Sequence, residues 1–226
     1  MNTAEILKHV DHTLLKPIAT WEDIQKICDE SIEYNTASIC IPSCYISRIN
    51  EKYGDKVNIC TVVGFPLGYS TTEAKVLEAK QAIENGANEI DMVINIGMLK
   101  DRNLEYVYND IKEIVEASRG KALVKVIIET CLLTDDEKRT ACILARDAGA
   151  DFIKTSTGFS GEGAKKEDIV LIRETIGDKI KIKASGGIRT YEDAIEMIKS
   201  GADRIGTSAS IDIISKVNNV DITNKV

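Results

Sequence analysis

The chain has 226 residues, of which 43% are hydrophobic and 29% charged, with 15 Gly and only 3 Pro. This composition excludes a disordered or collagen-like chain and suffices for one large core. The formal net charge is -7, and the basic residues are scattered instead of forming a run, which argues against a nucleic-acid partner.

No segment resembles a membrane span or an export signal. The longest uncharged stretch, residues 57–72, is too short to cross a bilayer and is interrupted by Gly64, Pro66 and Gly68. Since the first residues lack both a basic and an apolar segment, we expect a cytosolic protein. The two histidines and the six cysteines, which include no CxxC pair, predict free thiols and no metal site.

Apolar, β-branched runs alternate along the chain with amphipathic stretches, which is typical of a parallel α/β sheet. The predicted strands cover residues 10–14, 37–41, 57–63, 89–94, 123–129, 151–155, 179–184 and 204–207. Eight such strands in a chain without a linker predict a single (β/α)8 TIM barrel over residues 1–226. A doubly wound open sheet is the alternative.

Helices are predicted between the strands. Ser70 with Glu73, Thr134 with Glu137, and Thr190 with Asp193 have the spacing of capping boxes at helix starts. Apolar faces with helical spacing occur in 74–83, 104–115, 165–176 and 191–199. Residues 2–9 are predicted to form an extra N-terminal helix at the bottom of the barrel.

Ionisable residues interrupt four consecutive predicted strands. Strands of a parallel barrel are covered on both faces and should be almost continuously apolar, yet these four contain Asp91, Lys125, Lys154 and Lys183. Buried charges are costly unless they are paired. Each residue alone could be a structural ion pair or lie at a barrel end, but together they indicate a site.

Side chains alternate along a strand, so the four residues can all face the barrel axis, together with Glu129. The prediction is an interior cluster of three lysines and two carboxylates. The same alternation turns Lys181 inward as well, which would require a bulge or a frayed strand start there.

Lys154 and Lys183 are predicted at the C-terminal ends of neighbouring strands, the face on which TIM-barrel active sites are built. Two adjacent ammonium groups disfavour each other's charge, so one of them can be a neutral amine. A neutral amine attacks a carbonyl to form a Schiff base, which is an electron sink for breaking or making a C–C bond. Asp91 could transfer the proton that the enamine gains or loses.

Glycine-containing turns follow the last three predicted strands. Such loops and the helix starts after them commonly bind phosphate through backbone amides, and Gly186, Gly187, Gly206 and Ser208 are suited to that role. The alternative is that the glycines only permit tight turns. Three other polar positions each have two interpretations. Arg189 could bind phosphate or begin a helix, Asp11-His12 could be an acid/base pair or a structural hydrogen bond, and Cys40 could face the pocket or fill the core.

Five segments, in order along the chain, resemble the deoxyribose-phosphate aldolase family. They are DHTLLKP at 11–17, EIDMVIN at 89–95, KVIIET at 125–130, FIKTSTG at 152–158 and KIKASGGIR at 181–189. The resemblance runs from about residue 10 to about residue 210, and the FIKTSTG run is the most specific segment.

The resemblance implies a class I aldolase that cleaves 2-deoxy-D-ribose 5-phosphate to acetaldehyde and D-glyceraldehyde 3-phosphate, with no metal and no organic cofactor. Lys154 would form the Schiff base, Lys183 would tune it, and Asp91 would act as acid/base with a water molecule. The implied phosphate-binding residues are Thr157, Gly158, Gly186, Gly187, Gly206 and Ser208. The family also suggests a homodimer or a larger homo-oligomer.

Two positions depart from the family pattern: Phe159 stands where some members have lysine, and residues 221–226 contain no tyrosine, whereas some members end in a tyrosine that assists proton transfer. Three other functions stay open. Another Schiff-base aldolase, such as a transaldolase-like barrel, would share the lysine, a metal-dependent aldolase would lose activity to a chelator, and a sugar-phosphate sensor would form no covalent adduct.

Overall fold

A computed structural model describes residues 3–211 and 213, which contain a closed barrel of eight parallel strands in the order of the sequence. The strands are β1 (Val10–Thr13), β2 (Ser38–Cys40), β3 (Ile59–Val63), β4 (Glu89–Val93), β5 (Leu123–Ile127), β6 (Phe152–Lys154), β7 (Lys181–Ser185) and β8 (Arg204–Thr207). β1 pairs with both β2 and β8, which closes the ring. The predicted TIM barrel is confirmed and the open sheet is excluded.

Helices surround the barrel. Those of the described residues are α1 (Thr3–Leu7), α2 (Trp21–Tyr34), α3 (Ile46–Tyr53), α4 (Thr72–Glu84), α5 (Ile96–Lys100), α6 (Leu104–Ser118), α7 (Asp135–Asp147), α8 (Lys166–Ile176) and α9 (Tyr191–Lys199). The predicted N-terminal helix is confirmed as α1, which lies beside the N-terminal ends of β1 and β8, where Nδ1 of His9 is 2.9 Å from the carbonyl oxygen of Asp203. In the described part of the chain, no helix is long and apolar enough to cross a membrane.

Two predicted helix starts are confirmed and one is wrong. Thr134 and Thr190 form complete capping boxes with Glu137 and Asp193. The prediction that Ser70 caps a helix with Glu73 is displaced by one residue, because the N-cap of α4 is Thr71, whose hydroxyl accepts from the amide of Ala74. Adjacent hydroxyl residues both satisfy the capping pattern, so spacing alone cannot choose between them.

The predicted alternation of side chains is confirmed for β4 to β7. Ile90, Met92, Val124, Val126, Ile153 and Ile182 are fully or almost fully buried in the apolar layer between the barrel and the helices. Lys181 needs no bulge, because β6 and β7 pair in regular register, with Phe152 opposite Lys181 and Lys154 opposite Lys183. Lys181 lies at the barrel's N-terminal mouth, where it is exposed, and its ammonium is 5.6 Å from the Phe152 ring.

Candidate active site

Three lysines surround one carboxylate inside the barrel. Lys154 Nζ is 2.8 Å and Lys183 Nζ is 2.7 Å from Oδ2 of Asp91, while Lys125 Nζ is 2.8 Å from Oδ1. All four side chains are buried, with Lys154 3% exposed and the others fully enclosed. The strand register explains why these side chains lie close together. Asp91 pairs with Lys125 across β4 and β5, and Lys154 pairs with Lys183 across β6 and β7.

The charges of this cluster stabilise one another. Burial alone would raise the pKa of Asp91, but Lys125, Lys154 and Lys183 outweigh it and hold that pKa well below its usual range. Burial would lower the pKa of Lys183, but Asp11 and Asp91 together raise it above its ordinary value. Of the two lysines that share Oδ2 of Asp91, Lys183 is therefore held as a cation by two carboxylates.

A second layer of charges lies below this cluster, toward the N-terminal end of the barrel. Lys125 Nζ is also 2.5 Å from a carboxylate oxygen of Glu89, and Arg204 binds both Glu89 and Asp11. Asp11 also contacts Lys183, and these cations hold the pKa of Asp11 below its usual range although burial acts to raise it. Sequence reasoning missed Glu89 and Arg204 because both stand at the first position of a strand.

One prediction about this cluster, the inclusion of Glu129, is wrong. Glu129 does not join the lysines, because β5 ends at Ile127 and the chain turns at Glu129, whose carboxylate binds Thr157 instead. Of the two interpretations of Asp11-His12, the acid/base pair is excluded, because neighbouring strand residues face opposite sides of the sheet, and His12 makes structural hydrogen bonds instead. Asp11 faces the barrel axis, whereas His12 contacts Glu30 and Ser210 in the helical layer.

A pocket of about 340 Å³ opens at the C-terminal end of the barrel. It is lined by Lys154 and by residues 13–16, 157–159, 185–189 and 206–208. Lys154 is thus the one member of the three-lysine cluster that lines this pocket. A second cavity of about 400 Å³ lies at the opposite end of the barrel, near Arg119 and Asp151, and contains none of the buried charges.

The structure brings all six predicted phosphate-binding residues to this pocket: Thr157, Gly158, Gly186, Gly187, Gly206 and Ser208. Gly158, Gly186 and Gly187 have positive φ angles, which favour glycine. Gly206 has a steric role as well, because a Cβ there would lie 3.0 Å from Cε of Lys183. Arg189 and Phe159 also line the pocket, and the Phe159 ring packs edge-on against Phe65 with centroids 5.3 Å apart. Residues 221–226, which lack a tyrosine, lie outside the described residues.

Two buried thiols lie beside Asp91. Cys60 Sγ is 3.2 Å from Oδ1 of Asp91 and 3.2 Å from Lys125 Nζ. Cys40 is opposite Cys60 across β2 and β3, and ligand atoms of Cys40, Cys60 and Asp91 all lie within 4.8 Å of one another, a spacing that could hold a metal ion. The lysine ammonium groups on Asp91 oppose a cation at this place. Cys40 belongs to the barrel interior and does not line the pocket.

Comparison with known proteins supports one family. Residues 6–216 match the DeoC/LacD family aldolase. The chain is 62% identical to a deoxyribose-phosphate aldolase of Clostridium botulinum over 95% of this chain and 96% of the relative. It is 57% identical to that of Clostridium tetani, over 94% of this chain and 99% of the relative. A tetrameric deoxyribose phosphate aldolase structure from Aeropyrum pernix superposes with a TM-score of 0.90 at 32% identity, covering 97% of this chain and 93% of that one.

Proposed function

This chain belongs to the DeoC/LacD family of aldolases, and from that premise we propose that it cleaves 2-deoxy-D-ribose 5-phosphate to acetaldehyde and D-glyceraldehyde 3-phosphate through a Schiff base on Lys154. One observation carries the choice of lysine. Lys154 lines the pocket and lies 2.8 Å from Asp91, whereas Lys125 and Lys183 are enclosed behind it.

Bond cleavage follows from an iminium ion on Lys154. The amine of Lys154 adds to the aldehyde carbon of the open-chain sugar, and loss of water gives the iminium. A base removes the proton of the third carbon's hydroxyl, the bond between the second and third carbon atoms breaks, and its electron pair neutralises the iminium as an enamine. D-glyceraldehyde 3-phosphate leaves, the enamine carbon gains a proton, and water releases acetaldehyde and the free lysine.

Asp91 is the proposed acid/base group, acting with a water molecule. Three cations hold its pKa down in the free protein. When the nitrogen of Lys154 becomes neutral in the enamine, one of these charges is lost and the proton affinity of Asp91 increases. Asp91 is therefore tuned to accept the hydroxyl proton when the C–C bond breaks and to return a proton to the enamine.

Lys183 is the proposed tuning residue. Its ammonium shares Oδ2 of Asp91 with Lys154, and two carboxylates keep it protonated. A fixed positive charge beside the nitrogen that forms the Schiff base favours the neutral enamine over the cationic iminium. The phosphate of the substrate would bind the amides of the glycine loops, with Gly158, Gly186, Gly187, Gly206 and Ser208 in that role and Thr157 nearby.

Reductive trapping tests this proposal. Wild-type protein, Lys154→Leu and the matched control Lys181→Leu, which changes an exposed lysine of β7, are each incubated with acetaldehyde and sodium borohydride. Peptide mass spectrometry is expected to find N-ethyl-lysine at position 154 in wild type and in Lys181→Leu. Cleavage of 2-deoxy-D-ribose 5-phosphate, with and without a chelator, is then measured.

The outcomes separate the alternatives. Adduct without cleavage would favour a Schiff-base aldolase that accepts another sugar phosphate. Activity that is lost to a chelator would favour a metal-dependent aldolase. Absence of adduct on Lys154 in the folded protein would overturn the proposal and leave a sugar-phosphate sensor.

We further propose that the protein is a cytoplasmic homo-oligomer. The Aeropyrum pernix relative is tetrameric, and all six cysteines of this chain are free thiols, as suits a reducing compartment. Light scattering coupled to size-exclusion chromatography tests assembly, and a monomer at micromolar concentration would contradict it. Cell fractionation tests the compartment.

A further inference from the structure

Glu129 is a buried carboxylate at the end of β5 for which the mechanism above has no use. It is 1% exposed, and its backbone has a φ of 54°, which is strained for a residue other than glycine. Among residues 3–211 and 213, its carboxylate contacts Thr157 and, at 4.0 Å, the Cys131 thiol, and no lysine, arginine or histidine forms an ion pair with it. A buried carboxyl group without a cationic partner and a strained backbone are both unfavourable, and their coincidence at one residue points to a function.

The carboxylate of Glu129 binds a single residue of the next loop. Both of its oxygens lie 3.3 Å from the amide nitrogen of Thr157, and Oε2 is 2.5 Å from the Thr157 hydroxyl oxygen. The same hydroxyl accepts a hydrogen bond from the amide of Phe159 at 3.0 Å. Both donors of Thr157 are thus used by Glu129, and the backbone on either side of Gly158 is fixed.

The loop after β6, which contains Thr157, contacts the glycine loop after β7. A Cβ on Gly186 would lie 3.5 Å from Cα of Gly158, and the Ser185 hydroxyl donates to the carbonyl of Ser156 at 2.6 Å. The amide of Ala164 donates to the carbonyl of Gly186 at 3.0 Å. Glu129 thus holds Thr157 between Ser156 and Gly158, the two neighbouring residues that contact the loop after β7.

We propose that Glu129 is a positioning residue that sets the phosphate-binding geometry of the loops after β6 and β7. This inference rests on the proposed function, since it names what holds the phosphate site of that reaction in place. The family resemblance implies that Thr157 binds phosphate, whereas this proposal gives Thr157 a structural role. The donors of Thr157 serve Glu129, and Gly158 presents the amide to the phosphate.

The test compares a phosphorylated with an unphosphorylated substrate. Glu129→Ala removes every acceptor for Thr157, and its KM for 2-deoxy-D-ribose 5-phosphate is expected to increase about tenfold. Its kcat/KM for 2-deoxy-D-ribose is expected to stay within about twofold of wild type, because that sugar has no phosphate to misplace. A loss of folded protein alone would lower the rates on both substrates equally.

Three further variants make the test specific. Glu129→Gln keeps one acceptor oxygen and is expected to have an intermediate KM. Thr157→Val removes the hydroxyl without touching Glu129, and its KM is expected to exceed that of Thr157→Ser. Since the two residues act through one contact, Glu129→Ala combined with Thr157→Val should be little worse than either change alone.

Asp168→Asn is the matched control. Asp168 is another buried carboxylate, but it pairs with Lys138 in the helical layer and does not line the pocket. Its ratio of kcat/KM values for the two substrates is expected to equal that of wild type. Trapping of acetaldehyde on Lys154 is measured in every variant, because it requires no phosphate.

An unchanged substrate ratio in both Glu129→Ala and Thr157→Val, with trapping intact, would overturn the role of Glu129 and leave the proposed function standing. Wild-type protein that neither traps acetaldehyde nor cleaves the sugar phosphate would contradict the proposed function itself. If Glu129→Ala does not fold, Thr157→Val against Thr157→Ser decides the question.

Discussion

Buried lysines occur in two regions of this protein, and their surroundings differ. Lys75, on α4 outside the barrel, is fully enclosed and pairs with Asp110 of α6 at 2.6 Å and with the carbonyl of Val93 at 2.9 Å. Its burial outweighs the opposing effects of Asp110 and, to a smaller extent, Glu78, and lowers its pKa. Inside the barrel, Lys183 has two carboxylates, and its pKa is raised.

The difference distinguishes a lysine in an enclosed structural ion pair from a lysine cluster that a ligand can reach. The pair of Lys75 and Asp110 is isolated from solvent, so its charges affect only stability. The barrel cluster contains four cationic groups and three carboxylates, listed as Lys125, Lys154, Lys183, Arg204, Asp11, Glu89 and Asp91, and one of them lines a pocket.

The largest effect is expected from Lys154→Leu. This change removes the proposed nucleophile, so kcat/KM should fall by about 10⁴-fold or more, equivalent to ~5 kcal/mol. The thermal unfolding midpoint should change little, because Asp91 keeps two other lysine partners. Steady-state kinetics and calorimetry on the same preparation measure both quantities, and substantial remaining activity would contradict the role of Lys154.

Lys75→Met should have the opposite effect to Lys154→Leu: a large loss of stability with little change in activity. The substitution leaves Asp110 buried without its cation, so the free energy of unfolding should decrease by about 3–5 kcal/mol. The kcat of the protein that remains folded should be within about threefold of wild type. Denaturant titration checks the stability, and the double change Lys75→Met with Asp110→Leu serves as the control that should recover most of it.

Asp11→Asn tests whether the second layer of charges tunes the first. We expect a loss of about 2–3 kcal/mol in the free energy of unfolding, because Lys183 and Arg204 both lose a charged partner. Without Asp11, the pKa of Lys183 should fall, and the alkaline limb of the kcat/KM profile should move to lower pH. A profile identical to that of wild type would show that Asp11 acts only in packing.

The stability of the same variant has a defined pH dependence. The folded pKa of Asp11 lies below its unfolded value of about 3.9, so its contribution is present above that pH and is lost as pH falls toward the folded pKa. The difference in unfolding free energy between wild type and Asp11→Asn should therefore be largest near neutral pH and shrink below about pH 4. Urea titrations across that range measure it.

The smallest effect is expected from Cys60→Ala. The Cys60 thiol makes a weak contact with Asp91, so kcat should change by no more than about fivefold, or ~1 kcal/mol. Cys142→Ala is the matched control, because Cys142 is a buried thiol of α7 outside the barrel. Equal kcat values for the two variants would exclude a contribution of the thiol to the cluster.

The sequence predicts most of the barrel, because parallel strands that are covered on both faces are almost entirely apolar. Charged residues within such strands therefore indicate a site. Asp91, Lys125, Lys154 and Lys183 were recognisable as charges in segments that should be apolar on both faces. Glu89 and Arg204 violate no such rule, because charged residues are common at strand starts. Lys75 was equally hidden, because a lysine on an amphipathic helix normally points to solvent.

The position of Glu129 could not be predicted for another reason. The alternation of side chains that places Lys125 inward holds only while the strand continues. No feature of the amino-acid sequence predicts a left-handed backbone conformation at Glu129. The contact with Thr157 depends on that turn. Where a strand ends on a non-glycine residue of unusual conformation, periodicity gives the wrong partner.

The ion network inside the barrel also favours closure of the ring during folding. Asp11 comes from the first strand, Arg204 from the last and Lys183 from the one before it, so these charges are far apart along the chain and meet only when β1 pairs with β8. An intermediate with an open sheet would contain the same charges without their partners, a costly state in an apolar interior. The ion network of the candidate site is therefore complete only in the closed barrel.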